Sequence, residues 1–293
     1  MFRLPTWALR RRRIFRAGCC TSKYTLGFPE SNLSMANSVS ENGTIIEVQD
    51  LHKSYGSLQA VEGVSFSIHA GEVFGILGPN GAGKTTTLEI LEGMRAPDRG
   101  SASVNGIDVR KDPRGVREII GIQLQSSSFF EKLNLSEILE VFGDLYPRRL
   151  APAELLRRVQ LEDKSKAQFK TLSGGQQQRF SIAAAMVNDP LVLFLDEPTT
   201  GLDPQARRNM WGLIQGFQAE GRTILLTTHY MEEAEELCDR VAIMDRGRIV
   251  AMDRPQALVD NLLRKGFHKN YVAKLANLED VFLDLTGHGL REG

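Results

Sequence analysis

The sequence has few cysteines and no long apolar run. Only three of its 293 residues are cysteine, namely Cys19, Cys20 and Cys238. Their spacing gives neither a disulfide framework nor a set of metal ligands, which favours a reducing compartment. No stretch approaches the roughly 18 consecutive apolar residues that span a bilayer. If the protein acts at a membrane, we therefore expect another chain to supply the spanning helices.

Net charge is absent as well, because 36 Lys and Arg balance 36 Asp and Glu. The charges are unevenly placed: residues 1–44 hold seven basic and two acidic side chains, which leaves 29 basic and 34 acidic in the rest. A mildly acidic body argues against nucleic acid as a partner. The basic segment lacks the apolar core of a secretory signal. We expect residues 1–43 to be a disordered extension, or Met35 to be the true start.

From Thr44 onward the sequence has the pattern of an α/β domain. Apolar segments such as VFGIL and LVLFLD have the length of buried parallel strands, and helical segments alternate with them. In DPQARRNMWGLIQGFQAEG, Asp203 is placed to cap a helix, Pro204 fits the first turn and Gly221 ends it. The alternation predicts a sheet covered by helices on both faces.

Two shorter helices are predicted near the C-terminus. MEEAEELCDR has an apolar side that we expect to contain Met231, Ala234, Leu237 and Val241. ANLEDVFLDLTG places four apolar residues at helical spacing after Asn277, a possible cap, and predicts a small docking helix; the four are Leu278, Val281, Phe282 and Leu285. Residues 256–293 are thus expected to form a short C-terminal accessory segment.

The segment GPNGAGKTT matches the phosphate-binding pattern G-x-x-x-x-G-K-[ST], with a strand before it and a helix after it. Its glycines allow backbone amides to wrap around phosphates. Lys84 can reach the β and γ oxygens of a nucleotide, and the Thr85 hydroxyl can bind Mg²⁺. The predicted nucleotide-binding residues are Gly78, Pro79, Asn80, Gly81, Ala82, Gly83, Lys84, Thr85 and Thr86.

Two adjacent acids end the apolar strand LVLFLDEP. On their own they would be a solvated strand end. Beside a phosphate loop, Asp196 is expected to hold Mg²⁺, and Glu197 is expected to act as general base on the attacking water.

Three more candidates are uninformative when each is taken alone. His229 follows the strand TILLTT and is either a packed strand end or a group that contacts the γ-phosphate. Gln125, taken alone, is a plain loop glutamine. Tyr55 is either a turn residue or a platform on which a purine stacks.

The segment LSGGQ also has two interpretations. Ser173 and Gln176 fit a capping box at the start of a helix. A capping box does not explain Gly174 and Gly175, since each glycine in a helix costs conformational entropy. Glycine at both positions is explained if another molecule approaches the backbone closely there.

Taken in order, Tyr55, GPNGAGKTT, Gln125, LSGGQ, LVLFLDEP, GLDP and His229 resemble the ABC-type ATPase domain. The resemblance covers roughly residues 44–255. It implies a P-loop NTPase of the α/β class, with a RecA-like core, an N-terminal antiparallel β subdomain and an inserted helical signature subdomain at about residues 126–180. It further implies that Tyr55 packs on adenine, that Gln125 senses Mg²⁺ and the attacking water, and that His229 contacts the γ-phosphate of ATP.

The resemblance also implies partners. Two such domains pack head to tail. Each ATP lies between the phosphate loop of one chain and the LSGGQ segment of the other, called here the signature segment, so we expect a homodimer. The expected contacts from the second chain are Ser173, Gly174, Gly175, Gln176 and Asp203.

THYMEEAEELCDRVAIMDRGRIVA and LEDVFLDLTG are similar to ATPase subunits of daunorubicin-type drug and polysaccharide exporters. Those subunits drive separate transmembrane permease subunits from the cytoplasmic face of the cell membrane. Two alternatives are a soluble ABC ATPase that acts on ribosomes or cofactor assembly, and a degenerate regulatory module. The intact Lys84, Asp196, Glu197 and His229 oppose the degenerate module.

Overall fold

The computed structural model describes residues 43–124, 129–267 and 278–287. The expectation for residues 1–43 therefore lies almost wholly outside the described part. The strands are β1 Thr44–Tyr55, β2 Leu58–His69, β3 Val73–Leu77, β4 Arg99–Val104, β5 Ile107–Asp108, β6 Ile120–Gln123, β7 Val192–Asp196, β8 Thr223–Thr228, β9 Arg240–Asp245 and β10 Arg248–Asp253. The helices are α1 Lys84–Leu91, α2 Pro113–Ile119, α3 Leu135–Gly143, α4 Pro152–Arg158, α5 Gly174–Ala185, α6 Pro204–Ala219, α7 Met231–Leu237, α8 Pro255–Arg264 and α9 Leu278–Thr286.

A six-stranded sheet in the order β10-β9-β3-β8-β7-β6 forms the centre of the domain. Its strands pair in parallel except for β10, which is antiparallel to β9. Every residue of β3, β7 and β8 is buried, as their continuous apolar sequences predict. Because parallel strands end at one edge of a sheet, the segments that follow Leu77, Asp196 and Thr228 meet there.

A second, antiparallel sheet has the order β2-β1-β4-β5. Its buried residues share one apolar core with α1 and with one face of the central sheet. Phe66 of β2 stacks on Phe74 of β3, with the ring centroids 5.3 Å apart. The predicted N-terminal antiparallel β subdomain is therefore present. It covers the face of the central sheet against which α1 packs.

Helices α3, α4 and α5 share a second core with α6 on the other face of the central sheet. Leu135, Ile138 and Leu139 of α3 are buried there, and Phe142 packs against the same core. The region predicted to be helical, about residues 126–180, contains α3, α4 and the first half of α5. The fold class expected from the sequence is confirmed.

The structure corrects one prediction and adds two helices. Val241 does not lie on α7 but on β9, because α7 ends at Leu237 and Cys238 is already extended. Backbone hydrogen bonding between Asp239 and Val73 then turns the chain into the sheet. Helices α2 and α8 were not predicted from the sequence.

The predicted C-terminal helix is present as α9. Leu278, Val281 and Phe282 are buried, and Leu285 packs against the same core. The expected cap, Asn277, lies outside the described residues. Within the described part of the chain, no helix is both long and apolar enough to cross a membrane.

Candidate active site

The loop between β3 and α1 needs its glycines for packing as well as for its backbone conformation. A Cβ on Gly78 would lie 2.2 Å from the carbonyl oxygen of Met244, and one on Gly83 would lie 2.1 Å from that of Ala60. Gly81 and Gly83 also adopt φ values of 80° and 102°, which side chains disfavour. The strand, loop and helix follow in the order that the phosphate-binding pattern requires.

Lys84 points its amine back into this loop. The Nζ donates to the carbonyl oxygens of Gly78 at 2.8 Å and Pro79 at 3.1 Å, and it lies 3.8 Å from Oε1 of Glu197. Burial lowers the pKa of Lys84, while the carboxylates of Glu197 and Asp196 oppose that shift. The amine is thus held at the mouth of the loop, where a phosphate anion could replace the neutral carbonyl partners.

Asp196, at the end of β7, lies beside the first turn of α1. Its Oδ2 accepts a hydrogen bond from the Thr85 hydroxyl at 3.3 Å, and its Oδ1 accepts one from Thr227 on β8. Burial raises the pKa of Asp196 above its ordinary value, although the hydrogen bond from Thr227 opposes that shift. The hydroxyl and the carboxylate converge, and such oxygen ligands fit Mg²⁺.

Glu197 is held in a conformation that is unusual for a residue with a side chain, with φ of 50°. Its backbone N–H donates to the carbonyl and hydroxyl oxygens of Thr227, which stabilises the turn. Its Oε2 accepts a hydrogen bond from the Thr200 hydroxyl at 3.1 Å, and its Oε1 lies 3.3 Å from Nδ1 of His229. A glutamate whose backbone is held in the left-handed region by such contacts is a candidate functional residue.

The neighbouring imidazole of His229 holds the pKa of Glu197 below its ordinary value, although burial acts in the opposite direction. The carboxylate is therefore ionised at neutral pH and can accept a proton. The sequence predicted both residues separately, and the structure brings them together with Lys84 at one edge of the sheet.

An open pocket of about 380 Å³ extends from Glu197 and Lys84 along the phosphate loop to Tyr55. The Tyr55 side chain is 38% exposed, and the Arg95 guanidinium lies 5.3 Å from its ring centroid. Tyr55 lines the pocket, whereas Arg95 and Lys53, whose amine lies 5.8 Å from the ring centroid, do not. Leu58 and Ala60 add an apolar wall that the sequence analysis missed.

Ser173 caps α5 and forms the complete capping box with Gln176 that the sequence allowed. A Cβ on Gly174 would meet nothing within 4 Å, and one on Gly175 would meet Ala206 at 3.3 Å. Nothing in the described chain therefore requires glycine at position 174. No residue of Ser173–Gln176 lines the pocket around Lys84.

Asp203 caps α6, accepting hydrogen bonds from the backbone N–H groups of Gln205 and Ala206 at 2.9 and 2.8 Å. Gln125 lies outside the described residues.

Glu92 is a buried acid near this site that the sequence analysis did not single out. It follows α1 and is only 2% exposed. Burial, together with the negative charges of Asp196 and Glu89, raises the pKa of Glu92 from 4.5 to about 8. At neutral pH its side chain is therefore a neutral carboxylic acid.

Glu92→Gln is expected to change how stability depends on pH. The folded chain keeps a proton on Glu92 that the unfolded chain releases above pH 4.5, so wild-type stability falls as pH rises towards 8. An amide stays neutral throughout. Between pH 5.5 and 8, we expect the variant to gain about 2–3 kcal/mol in free energy of unfolding relative to wild type. Urea unfolding at the two pH values measures the difference. The exposed Glu118→Gln is the control, and an equal effect of Glu92→Gln at both values would contradict the assignment.

Comparisons with known proteins agree with this geometry. Residues 61–200 match the family model described as "ABC transporter". The chain is 44% identical over 248 residues to a Burkholderia lata protein named "Nod factor export ATP-binding protein I". The alignment covers 83% of this chain and 82% of the relative.

Solved structures show the same architecture. One, described as the ATP binding subunit of an ABC transporter, aligns with a TM-score of 0.71 and 30% identity, over 83% of this chain and 100% of its own. Another is an ATP-binding cassette in a dimeric post-hydrolysis state bound to ADP and Pi. It aligns with a TM-score of 0.65 and 25% identity, over 72% of this chain and 98% of its own.

Proposed function

The chain belongs to the ABC transporter family, and we propose that it is the ATP-hydrolysing subunit of an exporter. Members of this family are ATPases that power transport, and this chain is one of them. Nucleotide hydrolysis at the edge of the central sheet is supported above all by one observation. Glu197 lies within 3.8 Å of the Lys84 amine and within 3.3 Å of the His229 imidazole.

Each residue at this edge has a distinct task in the proposed reaction. Lys84 and the loop amides bind the phosphates, and Tyr55 with Leu58 holds the base. Thr85 and Asp196, with Gln125, would hold Mg²⁺, which would neutralise charge on the phosphate oxygens. The Glu197 carboxylate takes a proton from the attacking water, and His229 orients that carboxylate and contacts the γ-phosphate.

We place the second half of each ATP site on another copy of the chain. Gly174 is open to solvent although its own chain does not require glycine there, which suits close approach by another molecule. The amides at the start of α5 would then contact the ATP of the partner. A relative forms a dimer in a post-hydrolysis state. Two copies packed head to tail would give two equivalent composite sites, with Asp203 at the contact between them.

Export is proposed because the relatives are named for it. Proteins 44% and 38% identical to this chain carry the name "Nod factor export ATP-binding protein I". The drug-exporter subtype suggested by the sequence, with a drug, polysaccharide or lipid-like cargo, stays a prediction. We further propose that the chain sits at the cytoplasmic face of the cell membrane on separate permease subunits.

Affinity purification of the tagged protein from gently solubilised membranes should recover a stoichiometric chain with several spanning helices. Phe130 precedes α3 at the start of the helical subdomain and is 45% exposed, and we propose that the permease docks on this subdomain. Phe130→Ser should lower its recovery by roughly tenfold, as loss of a buried aromatic contact does. Leu283→Ser, at a 42% exposed position on α9, is the matched control. Recovery only from the soluble fraction, with ribosomal or assembly proteins, would favour the alternative function.

A further inference from the structure

Glu233 is a fully buried acid that takes no direct part in the proposed chemistry. It lies on α7 with 0% exposure. Its Oε1 accepts hydrogen bonds from the Thr199 hydroxyl at 2.8 Å and from Nε1 of Trp211 at 3.2 Å. Burial raises the pKa of Glu233. The residue thus joins α7 to α6 and to the loop that follows β7.

That loop leads directly to the general base. Thr199 precedes Thr200, whose hydroxyl donates to Oε2 of Glu197 at 3.1 Å. A shift of Thr199 would therefore move the group that orients one carboxylate oxygen.

Helix α7 leads to the other side of the same carboxylate. The helix begins at Met231, two residues after His229. The imidazole Nδ1 of His229 lies 3.3 Å from Oε1 of Glu197. The hydrogen bond between Thr199 and Glu233 therefore closes a ring of contacts that contains both ends of the Glu197–His229 pair.

We propose that Glu233 is a positioning residue for ATP hydrolysis, fixing the separation of the His229 imidazole and the Glu197 carboxylate through its hydrogen bond with Thr199. This inference rests on the proposed function of that pair. Glu233 touches neither group itself. The hydrogen bonds from Thr199 and Trp211 both fall on Oε1, so glutamine keeps that acceptor whereas alanine removes it.

Steady-state kinetics separate positioning from simple stability. Thr199→Val removes the donor while keeping the side-chain shape, and it is expected to lower kcat about tenfold with ATP affinity changed less than about twofold. Glu233→Ala should do the same or more, and Glu233→Gln should restore kcat to within about threefold of wild type. Should Glu233→Ala fail to fold, Thr199→Val still carries the test.

The control is Thr223→Val, at the opposite end of β8. Thr223 is also buried, and its hydroxyl accepts a hydrogen bond from the N–H of Gly71 at 3.0 Å. Thr223→Val should lose stability without a change in kcat. If Thr199→Val loses stability in the same way and keeps wild-type kcat, Glu233 is a structural residue and the proposal is wrong.

A second readout needs neither nucleotide nor metal. The Cε1 proton resonance of His229, assigned by its loss in His229→Gln, reports the surroundings of the imidazole in the free protein. We expect it to shift in Thr199→Val and to stay in place in Thr223→Val and Glu233→Gln. An unshifted resonance in Thr199→Val would overturn the proposal. If the wild-type protein hydrolyses no ATP, the proposed function is wrong. The resonance would still show whether the hydrogen bond between Thr199 and Glu233 fixes the position of the His229 imidazole.

Discussion

Glu197→Gln is expected to lower ATP turnover by at least about 100-fold while leaving ATP affinity within about threefold of wild type. The amide cannot take a proton from water, yet it has nearly the shape of the carboxylate. The groups that bind ATP survive, because the substitution leaves the Lys84 amine, the Thr85 hydroxyl and the amides of the phosphate loop in place. Phosphate release and equilibrium ATP binding, measured on the same preparation, separate the two effects. Turnover close to wild type would show that another group is the base.

The same variant should also convert the chain into a stable dimer when ATP is added, because the nucleotide that joins two copies is no longer hydrolysed. Size-exclusion chromatography with and without ATP measures this. Glu197→Gln combined with Gly174→Glu should stay monomeric, since position 174 has free space in its own chain but would face the partner's ATP. Gly212→Glu is the control, because Gly212 on α6 also has nothing within 4 Å of a Cβ. A monomer in Glu197→Gln alone would contradict head-to-tail pairing.

The parts of the fold that the sequence predicted well are those that parallel-sheet geometry constrains most. The loop after β3, the acids at the end of β7 and His229 after β8 all lie at one edge, because the carboxyl ends of parallel strands share it. Their distances follow from the fold once the strands are identified. The start of α6 at the Asp203 cap and its end before Gly221 were predicted equally well. Both depend on local features, a capping side chain and a glycine with positive φ.

What the sequence did not predict depends on contacts between distant segments. Helix α2 has seven residues with only Val116 buried, so it carries almost no periodic signal. In MEEAEE, nothing in the pattern distinguishes the buried Glu233 from the exposed Glu232. Its burial depends on Thr199 and Trp211, which reach it only in the folded chain.

The signature segment shows a different limit. Its capping box and its proposed role for a partner's nucleotide are compatible, because the Ser173 side chain accepts a hydrogen bond from the amide of Gln176 and not from those of Gly174 and Gly175. The same residues can therefore cap α5 and serve the nucleotide of a partner chain.

Lys84→Ala should weaken ATP binding itself by about 100-fold or more, since the charge-assisted hydrogen bonds that Lys84 would make to the phosphates are lost. Its removal also takes away the cation that now lies 3.8 Å from Glu197, so an incoming phosphate would meet that carboxylate without a compensating charge beside it. Equilibrium binding of a fluorescent ATP analogue measures the loss. Lys53→Ala, whose amine lies 5.8 Å from the Tyr55 ring centroid, is the control and should change affinity by no more than about threefold. Wild-type affinity in Lys84→Ala would show that the loop from Gly78 to Thr86 does not bind the phosphates. Loss of affinity in Lys84→Ala, with loss of turnover alone in Glu197→Gln, would assign binding and hydrolysis to two residues less than 4 Å apart.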